Sequence, residues 1–406
     1  MPKKQNKKKK WIKFRHGVVR NILSCTLGVY ARLKYRIKIE RFKEQQKRPY
    51  LVLLNHQTAF DQFFVGMAIK GPVYYLASED IFSMGWVSSL IRYLVAPIPI
   101  KKQTTDVKAI LNCIRVAKEG GTIAVAPEGN RTFSGRTEYM SDSIVPLARK
   151  LGMPVALYRL EGGYGVHPRW SDVVRRGKMR GYVSRVISPE EYANLSDEEF
   201  FKIIKEGLYV DEAVADAKFV HQRAAEYLER AIYVCPKCGL STFESNKDLL
   251  TCLGCGLTAR YTPTKELQAV KGELPFRFVA DWYDYQADFI RKWDPARCDQ
   301  GPLYTENVSL FEVIPAERKN LLCKEAVVSL YSDTLSVKTD AQTLEFSFDK
   351  TTAVTILGKN KLNVYHEGKI YQIVGSKRFN ALKYVHIFNR CKNVGKGAEH
   401  EQFLGL

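Results

Sequence analysis

The chain has 406 residues, 45% of them apolar and 26% charged, with a net charge of +20. One compact core seldom grows beyond about 250–300 residues, so two or three folded units are expected and global disorder is excluded. Of the nine cysteines, four form a metal pattern and five (Cys25, Cys113, Cys298, Cys323, Cys391) are scattered. That is no disulfide framework, and it points to a reducing compartment.

The charge is concentrated at the start. Residues 1–48 carry 17 Lys and Arg against Glu40 and Glu44, which leaves the rest of the chain near balance. After the Lys run, Trp11, Phe14, Val18, Ile22, Val29 and Leu33 recur at three- and four-residue steps between basic residues. A basic amphipathic helix of this kind suits an anionic lipid surface, where each basic residue contributes about 1 kcal/mol. The longest uncharged stretch, Asn21 to Ala31, is polar-interrupted. It is shorter than the roughly 20 apolar residues a spanning helix needs, and the same interruption argues against a signal peptide. Residues 1–48 are therefore expected to be a membrane-associating arm, on a peripheral protein at the cytoplasmic face of a membrane.

From Tyr50 short apolar runs alternate with helical patterns. Strands are expected at 50–55, 73–78, 96–100, 122–127 and 154–162, and helices at 61–70, 84–95, 106–120 and 143–152. This alternation predicts an α/β fold, a mostly parallel sheet flanked by helices, with its active site beyond the carboxyl ends of the strands. Two more helices are expected at 196–207 and 211–231, closing a domain over 49–232. A Cys-rich segment spans 233–262. A linker region, 263–300, contains an amphipathic helix at 274–293. Residues 301–395 alternate apolar with polar between Asp, Gly and Asn turns, which predicts antiparallel β closed by a helix at 377–391, and 396–406 is a tail.

Two strand ends carry chemistry. The first reads Asn55-His56-Gln57-Thr58-Ala59-Phe60-Asp61. A carboxylate five residues after a histidine can pair with it across a turn, fix its tautomer and let the imidazole take a proton from a hydroxyl near neutral pH. A histidine that merely caps the next helix is the other reading. The second reads Ala126-Pro127-Glu128-Gly129-Asn130-Arg131-Thr132. Gly129 permits close backbone approach and Arg131 suits a phosphate, although the segment alone reads equally well as an ordinary turn.

Together these segments resemble the glycerolipid acyltransferase family, typified by 1-acylglycerol-3-phosphate O-acyltransferase. NHQTAFD is similar to its Asn-His-x-Ser-x-x-Asp block, PIPIKK (97–102) to its second block, PEGNRT to Pro-Glu-Gly-Thr-Arg-Ser, and MPVALYRLEG (153–162) to its fourth. The resemblance covers about residues 50–190. It implies that His56 is the general base and that Asp61 orients it. It implies an acceptor site of Asn55, Glu128, Gly129 and Arg131, with Lys101 or Lys102 adding charge. The implied acceptor is a lysophospholipid, most simply 1-acyl-glycerol-3-phosphate. The implied donor is a thioester of acyl-carrier protein or coenzyme A, or an acyl phosphate, with no redox cofactor. Thr58, Asn130 and Ala126 depart from the family pattern, which bears on acceptor identity more than on reaction type.

Cys235-x-x-Cys238 and Cys252-x-x-Cys255, each followed by Gly and separated by thirteen residues, have zinc-ribbon spacing. Four thiolates leave no open position, so the ion is expected to be structural Zn2+. The β-rich tail resembles a pleckstrin-homology-like or GRAM-like domain in architecture. Two alternatives stand beside the enzyme: a non-catalytic lipid-binding scaffold, and a nucleic-acid-binding zinc-ribbon protein. No nucleic acid is expected, because the positive charge sits in the arm rather than across the folded segments. His16, His167, His221, His366, His386 and His400 show no partner in the sequence that suggests catalysis.

Overall fold

The structure, a computed structural model, describes residues 10–44, 46–78, 81–82, 85–100, 106–137, 139–297, 301–315 and 317–395. Cys298, His400, the 396–406 tail and both candidate lysines, Lys101 and Lys102, lie outside the described residues. The chain forms two compact units. One comprises residues 1–131, 137–162 and 178–210, and the other 132–136, 163–177 and 211–406.

In the first unit α1 (Phe14–Cys25) and α2 (Leu27–Tyr35) lead into β1 (Ile37–Ile39), β2 (Leu51–Leu54), α3 (Asp61–Ala68), β3 (Val73–Ser78), α4 (Trp86–Leu94), β4 (Ile98–Ile100), α5 (Val107–Lys118), β5 (Thr122–Val125), α6 (Ile144–Leu151) and β6 (Val155–Glu161). A single turn, α7 (Gly163–Val166), belongs to the second unit; β7 (Met179–Ile187), α8 (Pro189–Ala193) and α9 (Asp197–Leu208) complete the first. The strands form one sheet in the order β1-β7-β6-β2-β5-β3-β4, parallel throughout except for β6 and β7. The central strand β2 is apolar along its whole length, and every residue of it is buried. β7 was not expected; it pairs with β6 across the connection that carries α7.

The arm was expected as one amphipathic helix over 11–35, but it breaks at Thr26, whose hydroxyl donates back to the Ile22 carbonyl. It also packs on the unit. The Trp11 indole donates to Ala96 O, and Arg20 Nη2 donates to the carbonyls of Gly66 and Ile69 at the end of α3. His16 is buried with its Nδ1 3.0 Å from the Tyr74 hydroxyl, a partner that its sequence neighbours do not announce. Phe14, Val18, Ile22, Val29 and Leu33 stay exposed.

In the second unit β8 (Val234–Cys235) pairs with β9 (Gly239–Leu240), and β10 (Phe243–Asn246), β11 (Leu249–Cys252), β12 (Thr258–Tyr261) and β13 (Leu267–Lys271) form an antiparallel sheet in chain order. The amphipathic helix is α10 (Val279–Lys292), with Trp282 and Ile290 buried. Its Trp282 indole donates to Val234 O, one residue before the first knuckle. β14 (Tyr304–Ile314), β15 (Arg318–Leu330), β16 (Thr334–Lys338), β17 (Thr343–Ser347), β18 (Thr351–Leu357), β19 (Lys361–His366) and β20 (Lys369–Gly375) form a seven-stranded antiparallel sheet in the order β17-β16-β15-β14-β20-β19-β18, followed by α11 (Ala381–Gly395).

The helix expected at 211–231 is absent; only a 3-10 turn, Leu228–Arg230, is helical there. Several backbone amides of this stretch are taken by other segments instead of by the fourth preceding residue. Glu212 N donates to Gly135 O, Phe219 N to Pro263 O, Val220 N to Arg176 O and Ala225 N to Lys247 O.

Candidate active site

β2 lies between β5 and β6 and runs parallel to both, so the residues that follow β2 and β5 emerge together at the carboxyl end of the strands. Ligand sites form there because strand carboxyl ends and helix amino ends converge. The first residue beyond β2, Asn55, is fully buried. Its amide donates to Leu160 O (2.8 Å) and accepts from Leu160 N (2.7 Å). Both ends of the amide are engaged in fastening the β2 end to β6.

His56 follows, with its ring Nδ1 2.8 Å from Asp61 Oδ2. Asp61 is the first residue of α3, where the helix dipole favours a carboxylate. Its side chain is 1% exposed and accepts from three further donors: Gln57 N at 2.8 Å, Thr58 N at 3.0 Å and Thr58 Oγ1 at 2.6 Å. Donors on three sides fix this buried carboxylate in place. With Nδ1–H donating to Asp61 Oδ2, Nε2 is left as the basic nitrogen, on an imidazole that is 27% exposed. A turn of four residues thus orients the ring from one side and opens it on the other.

The second motif is tied to the first. Glu128 Oε1 accepts the His56 backbone N–H at 2.8 Å, so this largely buried carboxylate holds the Pro127–Arg131 turn against the histidine. Gly129 has φ +71°, a conformation that a side chain would strain, and open space where a Cβ would point. The surrounding protein desolvates Arg131 and lowers its pKa, while Asp61 and Tyr35 act in the opposite sense. Tyr35, the last residue of α2, is a site neighbour that the sequence did not reveal. It is buried against Phe60 (5.2 Å between ring centroids) and Phe64 (5.6 Å). Burial raises its phenol pKa, Arg131 lowers it and Asp61 adds to the rise. Nothing in an amphipathic repeat marks Tyr35 as facing this centre, whereas the hydroxyl of Thr58 was legible as the counterpart of the family serine.

In the second unit the Sγ atoms of Cys235, Cys238, Cys252 and Cys255 all lie within 4.8 Å of one another, with Cys235 to Cys255 at 3.6 Å and Cys238 to Cys252 at 3.5 Å. A tetrahedral ion with metal–sulfur bonds near 2.3 Å sets neighbouring sulfurs about 3.8 Å apart, so the donors fit one metal ion. Backbone N–H groups of Lys237 and Cys238 point at the Cys235 sulfur, and those of Gly254 and Cys255 at the Cys252 sulfur. Gly239 and Gly256, both at φ +73°, make those turns possible. The eight described cysteines are all free.

The family model described as "Acyltransferase" matches residues 36–157. The chain is 24% identical over 195 residues to the 1-acyl-sn-glycerol-3-phosphate acyltransferase BAT2, chloroplastic, of Brassica napus, covering 47% of this chain and 55% of that protein. It is 23% identical over 197 residues to LPAT1, chloroplastic, of Arabidopsis thaliana, covering 47% and 53%. Against the 1-acyl-sn-glycerol-3-phosphate acyltransferase of Bacillus subtilis (strain 168) it is 20% identical over 160 residues, covering 39% and 77%. The solved 1-acyl-sn-glycerophosphate acyltransferase PlsC of Thermotoga maritima aligns with a TM-score of 0.40 at 23% identity, covering 48% of this chain and 78% of that one. The chain spans about half the length of the first curated relatives it matches. The segment that resembles the acyltransferase family, residues 36–157, contains both the His56–Asp61 pair and the Pro127–Arg131 turn.

Proposed function

We propose that the protein transfers a fatty acyl group from an acyl donor to the free hydroxyl of 1-acyl-glycerol-3-phosphate, giving phosphatidic acid. The observation that carries this reading is the 2.8 Å His56–Asp61 pair, built by buried donors inside the acyltransferase-like segment. In this mechanism His56 Nε2 takes the proton of the acceptor hydroxyl as its oxygen attacks the carbonyl carbon of the donor. Asp61 stabilises the imidazolium that forms. Collapse of the tetrahedral intermediate breaks the carbon–sulfur bond of a thioester, and the thiolate leaves with the proton from His56; a phosphate takes its place when the donor is an acyl phosphate. Arg131 binds the acceptor phosphate, and Lys101 or Lys102 adds a second charge. Glu128 and Gly129 shape the turn that presents Arg131, and Asn55 supports it through β6.

The four-cysteine cluster is read as a zinc ribbon in which Zn2+ is structural, because four sulfur donors complete the coordination and leave no position for substrate. The seven-stranded domain with its closing helix is read as pleckstrin-homology-like or GRAM-like, on architecture.

The same reading places the protein at the cytoplasmic face of a membrane. Supporting it, Phe14 on α1 is 91% exposed and Trp86 on α4 is 76% exposed, with Val18, Ile22, Leu90 and Tyr93 exposed on the same helices. The helices touch where the Arg15 guanidinium lies 3.9 Å from the Tyr93 ring centroid, so aromatic and basic groups share one surface, as a lipid headgroup region favours. Among the described residues no helix is long and apolar enough to cross a membrane.

The test is acyl transfer to lysophosphatidic acid in anionic vesicles with thioesters of acyl-carrier protein and of coenzyme A, wild type beside His56→Ala. Transfer by wild type alone supports the reading and identifies the better donor; equal turnover by both proteins overturns the mechanism.

A further inference from the structure

α3 carries Asp61 as its first residue, and its other end is held by the arm. A helix leaves its last carbonyls without partners of its own, and the negative end of its dipole sits there. In α3 two parts of the arm take them. Phe42 N donates to Ala68 O at 3.0 Å, and Arg20 Nη2 donates to Gly66 O at 2.9 Å and to Ile69 O at 2.6 Å. Arg20 Nη1 donates to Asn21 Oδ1 at 3.1 Å, so the guanidinium hydrogen-bonds to three neutral oxygens. A cation at the carboxyl end of a helix, bonded to its free carbonyls, is a cap.

The arm meets α3 along its length. Gly28 of α2 stands so close that a Cβ there would lie 3.0 Å from Met67 Sδ. Tyr35 packs on Phe64 of α3 and on Phe60, the residue that precedes the helix. From the sheet, the Tyr75 hydroxyl of β3 donates to Gln62 O at 2.5 Å. α3 is one unbroken helix of eight residues, about 12 Å long. A tilt or slide at Gly66–Ile69 is therefore passed along it to Asp61, whose Oδ2 lies 2.8 Å from His56 Nδ1.

We propose that Arg20 is a positioning residue for the His56–Asp61 pair: by capping the carboxyl end of α3 it sets where Asp61 stands against His56, so that docking of the arm is a condition of turnover as well as of lipid binding. The inference rests on the acyltransferase reading above. Arg20 lies outside residues 36–157, so the acyltransferase-like segment does not itself supply this restraint. The exposed apolar residues of α1, Phe14, Val18 and Ile22, are other side chains than the one that caps α3, which makes the two roles separable. An arm that only anchors the protein to lipid predicts that Arg20 matters only where a lipid surface is present.

The experiment uses the full chain and measures steady-state transfer by wild type, Arg20→Ala, Arg20→Gln, Arg20→Lys, Asp61→Asn and the Arg20→Ala/Asp61→Asn double variant, each well below its melting temperature. The acceptor is lysophosphatidic acid, once in anionic vesicles and once as a short-chain form dissolved below its micelle concentration. Cosedimentation with the vesicles is read alongside. On the dissolved acceptor Arg20→Ala is expected to lower kcat about tenfold to a hundredfold, the cost of a misplaced reacting geometry, with both KM values nearly unchanged. Cosedimentation should persist. Arg20→Lys, which can still donate to a carbonyl at the helix end, should recover part of kcat. In the Asp61→Asn background Arg20→Ala should add less than about twofold, because both act on one placement. An unchanged kcat on the dissolved acceptor in folded Arg20→Ala overturns the inference alone. A loss confined to vesicles and matched by lost cosedimentation does the same, as does a fully multiplicative loss in the Asp61→Asn background. A wild type that transfers to neither form of the acceptor overturns the reading beneath it. Should wild type turn over only on vesicles, kcat per cosedimented protein carries the same comparison; should Arg20→Ala not fold, Arg20→Gln and Arg20→Lys carry it.

Discussion

Two histidines, one in each unit, make similar contacts toward opposite ends. His56 gives Nδ1 to a buried carboxylate and keeps part of its ring open to solvent. His386, on α11, is sealed between two phenols, with Nδ1 2.8 Å from the Tyr233 hydroxyl and Nε2 3.3 Å from the Tyr283 hydroxyl. Burial first, and the Arg291 charge second, push its pKa down to about 3, so it remains a neutral packing element at any ordinary pH. The difference teaches that a histidine's chemistry depends on its partner and its access. A carboxylate partner with one open nitrogen makes a base; two phenols with no open nitrogen make a cross-link.

The largest effect that would break this contrast is at His56. His56→Ala is expected to lower kcat by at least about a hundredfold, the usual contribution of a positioned general base, with an unchanged melting temperature. Asp61→Asn should come close to it, because an amide can present its donor to Nδ1 and favour the wrong tautomer. A turnover assay beside thermal melting reads both, and an active His56→Ala enzyme would erase the distinction. Metal removal is the next test. A chelator is expected to melt the β8–β13 region, read as lost β circular dichroism and a metal release assay, because structural zinc supplies folding energy directly. An unchanged spectrum after release would show the strands standing without an ion.

His386 should respond in the opposite way from His56. His386→Ala is expected to cost about 2–4 kcal/mol, from the cavity and from the Tyr233 hydroxyl losing its partner, while kcat per folded molecule is retained. Denaturant titration checks the first and turnover the second. The pH dependence follows from the depressed folded pKa. An unfolded His386 binds a proton near 6.5 and the folded one near 3. Its contribution to stability is therefore full above about 6.5 and is lost as pH falls through that window. His386→Gln should flatten the fall in melting temperature over the same range.

How much of this was legible in the sequence depends on how local each signal is. His56 and Asp61 are five residues apart across one turn, so spacing and a strand end suggested the pair, and the resemblance of both motifs favoured it over a helix-capping histidine. The CxxC knuckles are likewise local, and so are the strands of the C-terminal sheet from β15 onward, whose alternation and turn residues are explicit. Tyr35 lay beyond reach because its partners are Phe60, Phe64 and Arg131, and no period in residues 11–35 distinguishes the buried side of α2 from its exposed one. The stretch 211–231 has helical composition but irregular structure, because its amides find carbonyls in distant segments that a local reading does not see. β7 contains Arg180, Ser184 and Arg185 on a strand near the sheet edge, where one face meets solvent, and this diluted the apolar pattern.

The smallest predicted effect is at Thr58, and it asks how much of the carboxylate's placement the hydroxyl supplies. Thr58 Oγ1 donates to Asp61 Oδ1 at 2.6 Å and accepts from Phe60 N at 3.1 Å, so one hydroxyl joins the turn to the Asp61 carboxylate. Thr58→Val keeps the shape and removes both bonds. Asp61 would still accept from His56, Gln57 N and Thr58 N, so the carboxylate stays buried and held by three donors. The lost bond is worth about 1 kcal/mol of positioning, hence a fall in kcat of about threefold to tenfold with an unchanged KM for both substrates. Thr58→Ser, which retains the hydroxyl and matches the family pattern, should recover nearly all of it. A Thr58→Val enzyme at full turnover would mean that the backbone donors alone hold Asp61. A loss as large as that of Asp61→Asn would mean that the hydroxyl keeps the whole turn in register.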